Sequence, residues 1–107
     1  MAFTRALHGR CMRGLHWLYQ TTPTLDAEVL VEALNEAWDQ NLIRGDEQWG
    51  ALHVVRLIMQ FQVEFRIGER EGQISLIHRV SSSDEVRELS HARLEAILSR
   101  LLPAESL

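Results

Sequence analysis

The chain has 107 residues, of which 46% are hydrophobic and 24% charged, and a net charge of −4. That is the size of one domain with its own core, and the composition of a globular chain, which excludes a disordered one. No apolar run approaches the ~18 residues of a membrane helix, His8, Arg10, Arg13 and His16 interrupt any signal-peptide core, and a lone cysteine closes no internal disulfide, so a cytoplasmic protein with no membrane partner is expected.

The first predicted element is a helix that ends near Gln20, because Pro23 in "TTPT" disfavours helix before it. At helical spacing Phe3, Leu7, Cys11, Gly14, Leu15 and Leu18 share one face, with Arg5, His8, Met12, His16 and Tyr19 on its flank. Gly9 and Gly14 weaken this helix by roughly 1 kcal/mol each relative to alanine. "LDAEVLVEALNEAWDQ" is the clearest helix, with Thr24 as its expected N-cap. Ala27, Leu30, Val31, Leu34, Ala37 and Trp38 form one side, and Glu28, Glu32, Glu36 and Asp39 the other.

"DEQWGALHVVRLI" predicts a third helix, apolar almost all round apart from a stripe of Trp49, His53 and Arg56. From Met59 the pattern alternates strictly, "GEREG" supplies a turn, and "QISLIHRV" returns, which predicts a β-hairpin over about 59–80. A last helix follows "SSSDE", with Ser82 and Glu85 spaced as a capping box and Pro103 just beyond its end. The expected fold is α+β: three N-terminal helices, the hairpin and a C-terminal helix in a single domain, 1–107. A two-stranded hairpin is marginal alone, so it needs helices over it or the strands of a second copy beside it; a homodimer through the hairpin edge is one expectation.

Four groups of side chains invite a functional reading. Cys11 lies between His8 and His16, but it faces the apolar side and no CxxC or HExxH pair accompanies it, so no metal site is expected. The same segment has no acid, and Arg5, His8, Arg13 and His16 form a flank suited to an anion, or to the chain's own acidic segment, where seven acids stand against Arg44 over residues 24–50. Glu28, Glu32 and Glu36 repel one another at i, i+4, which a basic partner would relieve. Trp49 and Arg56, with His53, are of types enriched at binding hot spots.

No spacing of nucleophile, base or cofactor-binding residues is present, so no catalytic residue and no cofactor is expected. The function expected is that of a non-enzymatic regulatory or adaptor protein, of bacterial or phage origin, that binds a protein partner through Glu28, Glu32, Glu36, Asp39, Trp49, His53 and Arg56. The alternative is a winged-helix-like DNA-binding transcriptional regulator, read by Gln48, Trp49, His53 and Arg56 on the third helix with Arg70 at the wing tip. Nucleic acid is disfavoured as a partner by the acidic second helix and the net charge, because phosphate neutralisation dominates DNA affinity.

Overall fold

Six strands and two helices make up the computed structural model, which describes residues 3–11 and 14–102 and, for Cys11, the backbone alone. In chain order these are β1 (Phe3–Cys11), β2 (Gly14–Thr21), α1 (Ala27–Ala37), β3 (Ile43–Trp49), β4 (Leu52–Met59), β5 (Val63–Ile67), β6 (Gln73–Arg79) and α2 (Asp84–Leu101). The strands form one sheet in the order β1-β2-β6-β5-β4-β3, each neighbouring pair antiparallel. A hairpin starts the sheet, α1 carries the chain to the far edge, and a four-strand meander brings it back beside β2. The expectation of three N-terminal helices before a single hairpin is therefore overturned: only one of those three is a helix.

The first expected helix is the β1–β2 hairpin. Its apolar residues fit a period of two as well as 3.6: Leu15, Trp17 and Tyr19 alternate with His16, Leu18 and Gln20, and partners across the sheet keep the alternation in register. Gly14 decides between the two readings. Its φ is +134°, and a Cβ there would lie 1.7 Å from the carbonyl oxygen of His78, so the residue lets β2 lie against β6. The third expected helix is the β3–β4 hairpin, turned at Gly50 with φ +62°. Its all-round apolar character is that of a strand with apolar residues on both faces: Val55, Leu57 and Met59 face the helices, and Val54 and Ile58 face the other way.

The expected hairpin over 59–80 is present as β5 and β6, but Met59 ends β4, and a turn at Gln60–Gln62 interrupts the alternation. Both strands are interior, since β5 pairs with β4 and β6 with β2, so the hairpin has no free edge for a second copy. The sheet's edges are β1 and β3. The two remaining helices lie where expected, with N-caps shifted by one or two residues, but α1 ends at Ala37 and not in "NLIRG", whose Gly45 lies in β3. Asp26 caps α1 by accepting from Glu28 N and Val29 N, and Ser83 caps α2 by accepting from Val86 N. Pro103 lies outside the described residues.

Both helices cover one face of the sheet. Leu30, Val31, Leu34 and Trp38 of α1 and its end, and Leu94, Ile97, Leu98 and Leu102 of α2 and its end, share one buried cluster with Tyr19, Val55, Leu57, Val63, Phe65, Ile67, Ile74 and Leu76. Trp38 meets Phe65 edge to face at 5.2 Å between ring centroids, a geometry worth about 0.5–1.5 kcal/mol beyond area burial. Two buried apolar residues, Val54 and Ile77, stand outside this cluster because they point from the opposite, open face.

Candidate functional site

The open face of the sheet is the surface to which most of the chemistry converges. Cross-strand register sets its rows: His16, Ile77, Glu64, Ile58 and Ile43 in one, and Leu18, Ser75, Arg66, Arg56 and Gly45 in the next. At its centre the Glu64 side chain is only 1% exposed, although no helix lies over it. Three arginines close over it instead. Arg56 donates from Nε (3.0 Å) and Nη2 (2.9 Å), Arg79 donates from Nη2 (2.9 Å), and Arg66 donates from Nε. Burial by itself pushes the Glu64 carboxyl up, and the bonds from Arg56 and Arg66 outweigh it, holding the group below the usual carboxylate range. The arginine stems also shield the aliphatic surface beneath them, as long cationic side chains do.

The lattice continues to the β3 edge. Arg56 donates from Nη1 to Glu47 at 2.8 Å, and Trp49 donates from Nε1 to the same carboxylate at 2.7 Å. Trp49 stands 41% exposed beside its cross-strand partner Leu52 at 45%, and Ile43 at 67% closes the other end of the edge. On the opposite side of the face, the rings of His8 and His16 lie 4.9 Å apart in a T arrangement. Burial and the neighbouring His8 lower the His16 pKa.

The residues singled out in the sequence are thus redistributed. Trp49 and Arg56 share the open face, but His53 faces the helix side, where its Nε2 lies 2.7 Å from Asp46 Oδ2. That carboxyl is pulled down to about 2 by its bonds with Arg44 and His53. Glu28, Glu32 and Glu36 line the outer side of α1, and Glu28 is taken up by Arg44 in two bonds of 2.8 and 2.7 Å. Asp39 has left the stripe, because it follows the helix with φ +51°. Of the basic flank, Arg5 faces the helices and pairs with Glu95 of α2 at 2.8 Å, His8 and His16 lie on the open face, and Arg13 lies outside the described residues. The first segment's described arginines therefore meet no acid of α1. The inward orientation expected for Cys11 also lies outside the described side chains.

The DNA-reading arrangement loses its recognition element. Gln48, Trp49, His53 and Arg56 lie on two strands and on both faces of the sheet, and Arg70 stands exposed in the β5–β6 turn. Among the described residues no three of His, Cys, Asp and Glu come together as a metal site, and no helix is long and apolar enough to cross a membrane.

A second polar constellation, which sequence reading missed, lies between β2 and α2. The Tyr19 hydroxyl is 2.8 Å from Glu95 Oε2 and 2.5 Å from His91 Nδ1. The His91 ring stands edge-on to Trp17 at 4.8 Å and to His78 at 4.9 Å, and His78 Nε2 lies 2.7 Å from the Ser90 hydroxyl. Burial pushes both imidazoles down to about 4. The signal for this cluster was a strand period at Trp17 and Tyr19 and the i, i+4 pair His91 and Glu95, and it is invisible when residues 1–20 are read as a helix. No family model matches the chain, and neither a curated protein nor a solved structure matches it.

Proposed function

We propose that the chain is a small non-enzymatic regulatory or adaptor protein that takes up a protein partner on the open face of its sheet. The observation that carries this reading is a six-stranded sheet with both helices on one side, whose other side has a fixed charge lattice at its centre and an apolar edge of Ile43, Trp49 and Leu52. At about 4.8 Å per strand and 3.3 Å per residue the face spans on the order of 600 Å² in projection. That is comparable with the ~800 Å² each partner gives to a stable interface. Tryptophan and arginine dominate the energetics of such contacts. Arg56 and Trp49 are already held in place by Glu47 and Glu64, so little rotamer freedom is lost on docking.

The partner chemistry that fits is a neutral surface with an aromatic or aliphatic anchor for the Trp49–Leu52 edge. Capture by immobilised chain should be lost in a Trp49→Ala, Leu52→Ser double variant and kept in a Glu32→Arg, Glu36→Arg one. The reverse pattern would move the interface to α1. Sedimentation of the free chain distinguishes a second copy of itself from a different protein as the occupant.

A further inference from the structure

We propose that the groove between β2 and α2 is a receptor site for an organic cation bearing N–H donors, an alkylammonium or guanidinium group. This site lies on the helix side of the sheet and does not depend on the open-face reading.

Glu95 takes the Arg5 guanidinium at 2.8 Å, so it is a carboxylate and can only accept. The Tyr19 hydroxyl therefore donates its one proton to Glu95 Oε2. The contact between the Tyr19 oxygen and His91 Nδ1, at 2.5 Å, then has one assignment left: Nδ1 carries a proton and donates it to Tyr19. Burial keeps the imidazole neutral, with the positive Arg5 nearby adding to the effect. A neutral imidazole has one N–H, so Nε2 is a bare acceptor. The chain Glu95–Tyr19–His91 fixes that tautomer as a carboxylate fixes a histidine through its other nitrogen.

Nε2 makes no hydrogen bond among the described residues, and the ring lines a cavity of about 400 Å³ with Arg5, Trp17, Glu88, Ala92 and Glu95. Glu88 lies one turn before His91 on α2, exposed, with no ion pair among the described residues. Ala92 is short and leaves room beside the imidazole. Trp17 supplies an aromatic surface that already attracts a cation, since the Arg5 guanidinium lies 5.5 Å from its ring centroid. The groups left for a ligand are thus an acceptor nitrogen, a carboxylate and the Trp17 indole, whose buried Nε1 also has no partner among the described residues, and Arg5 is already engaged by Glu95. With a neutral His91, the wall's charges of Arg5, Glu88 and Glu95 leave one negative charge, which a monocation balances.

The test uses the full chain with ¹⁵N-labelled histidine and tryptophan, at pH 7, with benzylamine as the probe and benzyl alcohol and benzoate as neutral and anionic isosteres. In the free protein His91 should show a protonated Nδ1 and a bare Nε2. Benzylammonium should shift the His91 Nε2 and Trp17 resonances, and Glu88→Gln, a change at an exposed position, should weaken its binding about tenfold. The opposite tautomer, equal binding of benzyl alcohol or benzoate, or unchanged affinity in Glu88→Gln would each overturn the proposal. The same cation can be a free amine or a side chain of a protein. An acetyl-Gly-Lys-Gly-amide peptide that binds more tightly than benzylamine assigns the site to a lysine side chain, and the reverse order assigns it to a free amine; binding of neither refutes it.

Discussion

Replacing Glu64 with glutamine tests the centre of the open face. The carboxylate accepts four bonds from three guanidiniums and its side chain is 1% exposed. An amide of the same shape keeps one acceptor oxygen, removes the charge, and turns an NH₂ group toward donors. Each charge-assisted bond contributes roughly 1.5–3 kcal/mol, and breaking a buried pair costs about 3–5 kcal/mol. The arginine side chains are 27–28% exposed, so water recovers part of their solvation and the lower end applies. The expected loss is about 3 kcal/mol, which for a domain of this size lowers Tm by about 10–20 °C. Arg79→Met, which leaves Glu64 paired with Arg56 and Arg66, should cost about 1 kcal/mol or less. Urea unfolding with unchanged m-values provides the measurement. A Glu64→Gln loss under about 1 kcal/mol, or one no larger than that of Arg79→Met, would refute the idea that the carboxylate holds the three arginines in place.

Gly14→Ala should be among the most damaging single-methyl additions in the chain. The Cβ would overlap the His78 carbonyl oxygen at 1.7 Å and would sit on a φ of +134°, so a loss of about 3 kcal/mol or more, read as soluble yield and Tm, is expected. Phe61→Asn should stabilise the fold by about 0.5–1 kcal/mol in urea titrations, because Phe61 is 68% exposed at φ +67°, where asparagine is better tolerated. Acidification should destabilise the protein through His78 and His91. Their folded pKa of about 4 lies below the ordinary 6.5, so the unfolded chain binds more protons between these values, and stability present above pH 6.5 is lost as pH falls toward 4. For the 1% exposed His78 this is on the order of 3 kcal/mol. His78→Phe should flatten the pH 5–7 limb of the stability curve, and an unchanged limb would contradict the buried neutral imidazole.

Local signals determined the two helices. The residues Ala27–Ala37 and Asp84–Leu101 announce themselves by polar residues at their starts and an apolar side, all within a few turns of chain, although α1 stops at Ala37, short of the Asn41 and Gly45 expected to end it. The alternation of Val63, Phe65 and Ile67 with Glu64 and Arg66 likewise fixed β5, because a half-covered strand writes its two faces into neighbouring residues. The hairpins β1–β2 and β3–β4 were not legible in the same way. Leu7, Leu15 and Leu18 satisfy a helical period as well as a strand period, and β4 is apolar on both faces and so carries no alternation at all. For β1–β2 what separates the readings is pairing with a strand more than fifty residues away: Gly14 meets the His78 carbonyl, and β2 is a strand because β6 takes its hydrogen bonds; for β3–β4 it is pairing with β5, the next strand in the chain. The same holds for the sites. The sequence displays Trp49 and Arg56 as conspicuous residues, but the assembly of Arg56, Arg66 and Arg79 over Glu64, and of Tyr19, His91 and Glu95 into a proton-directed chain, arises only when strands and α2 meet. Helices are decided by neighbours in sequence and sheets by neighbours in space, and in this protein both polar clusters need the sheet in order to form.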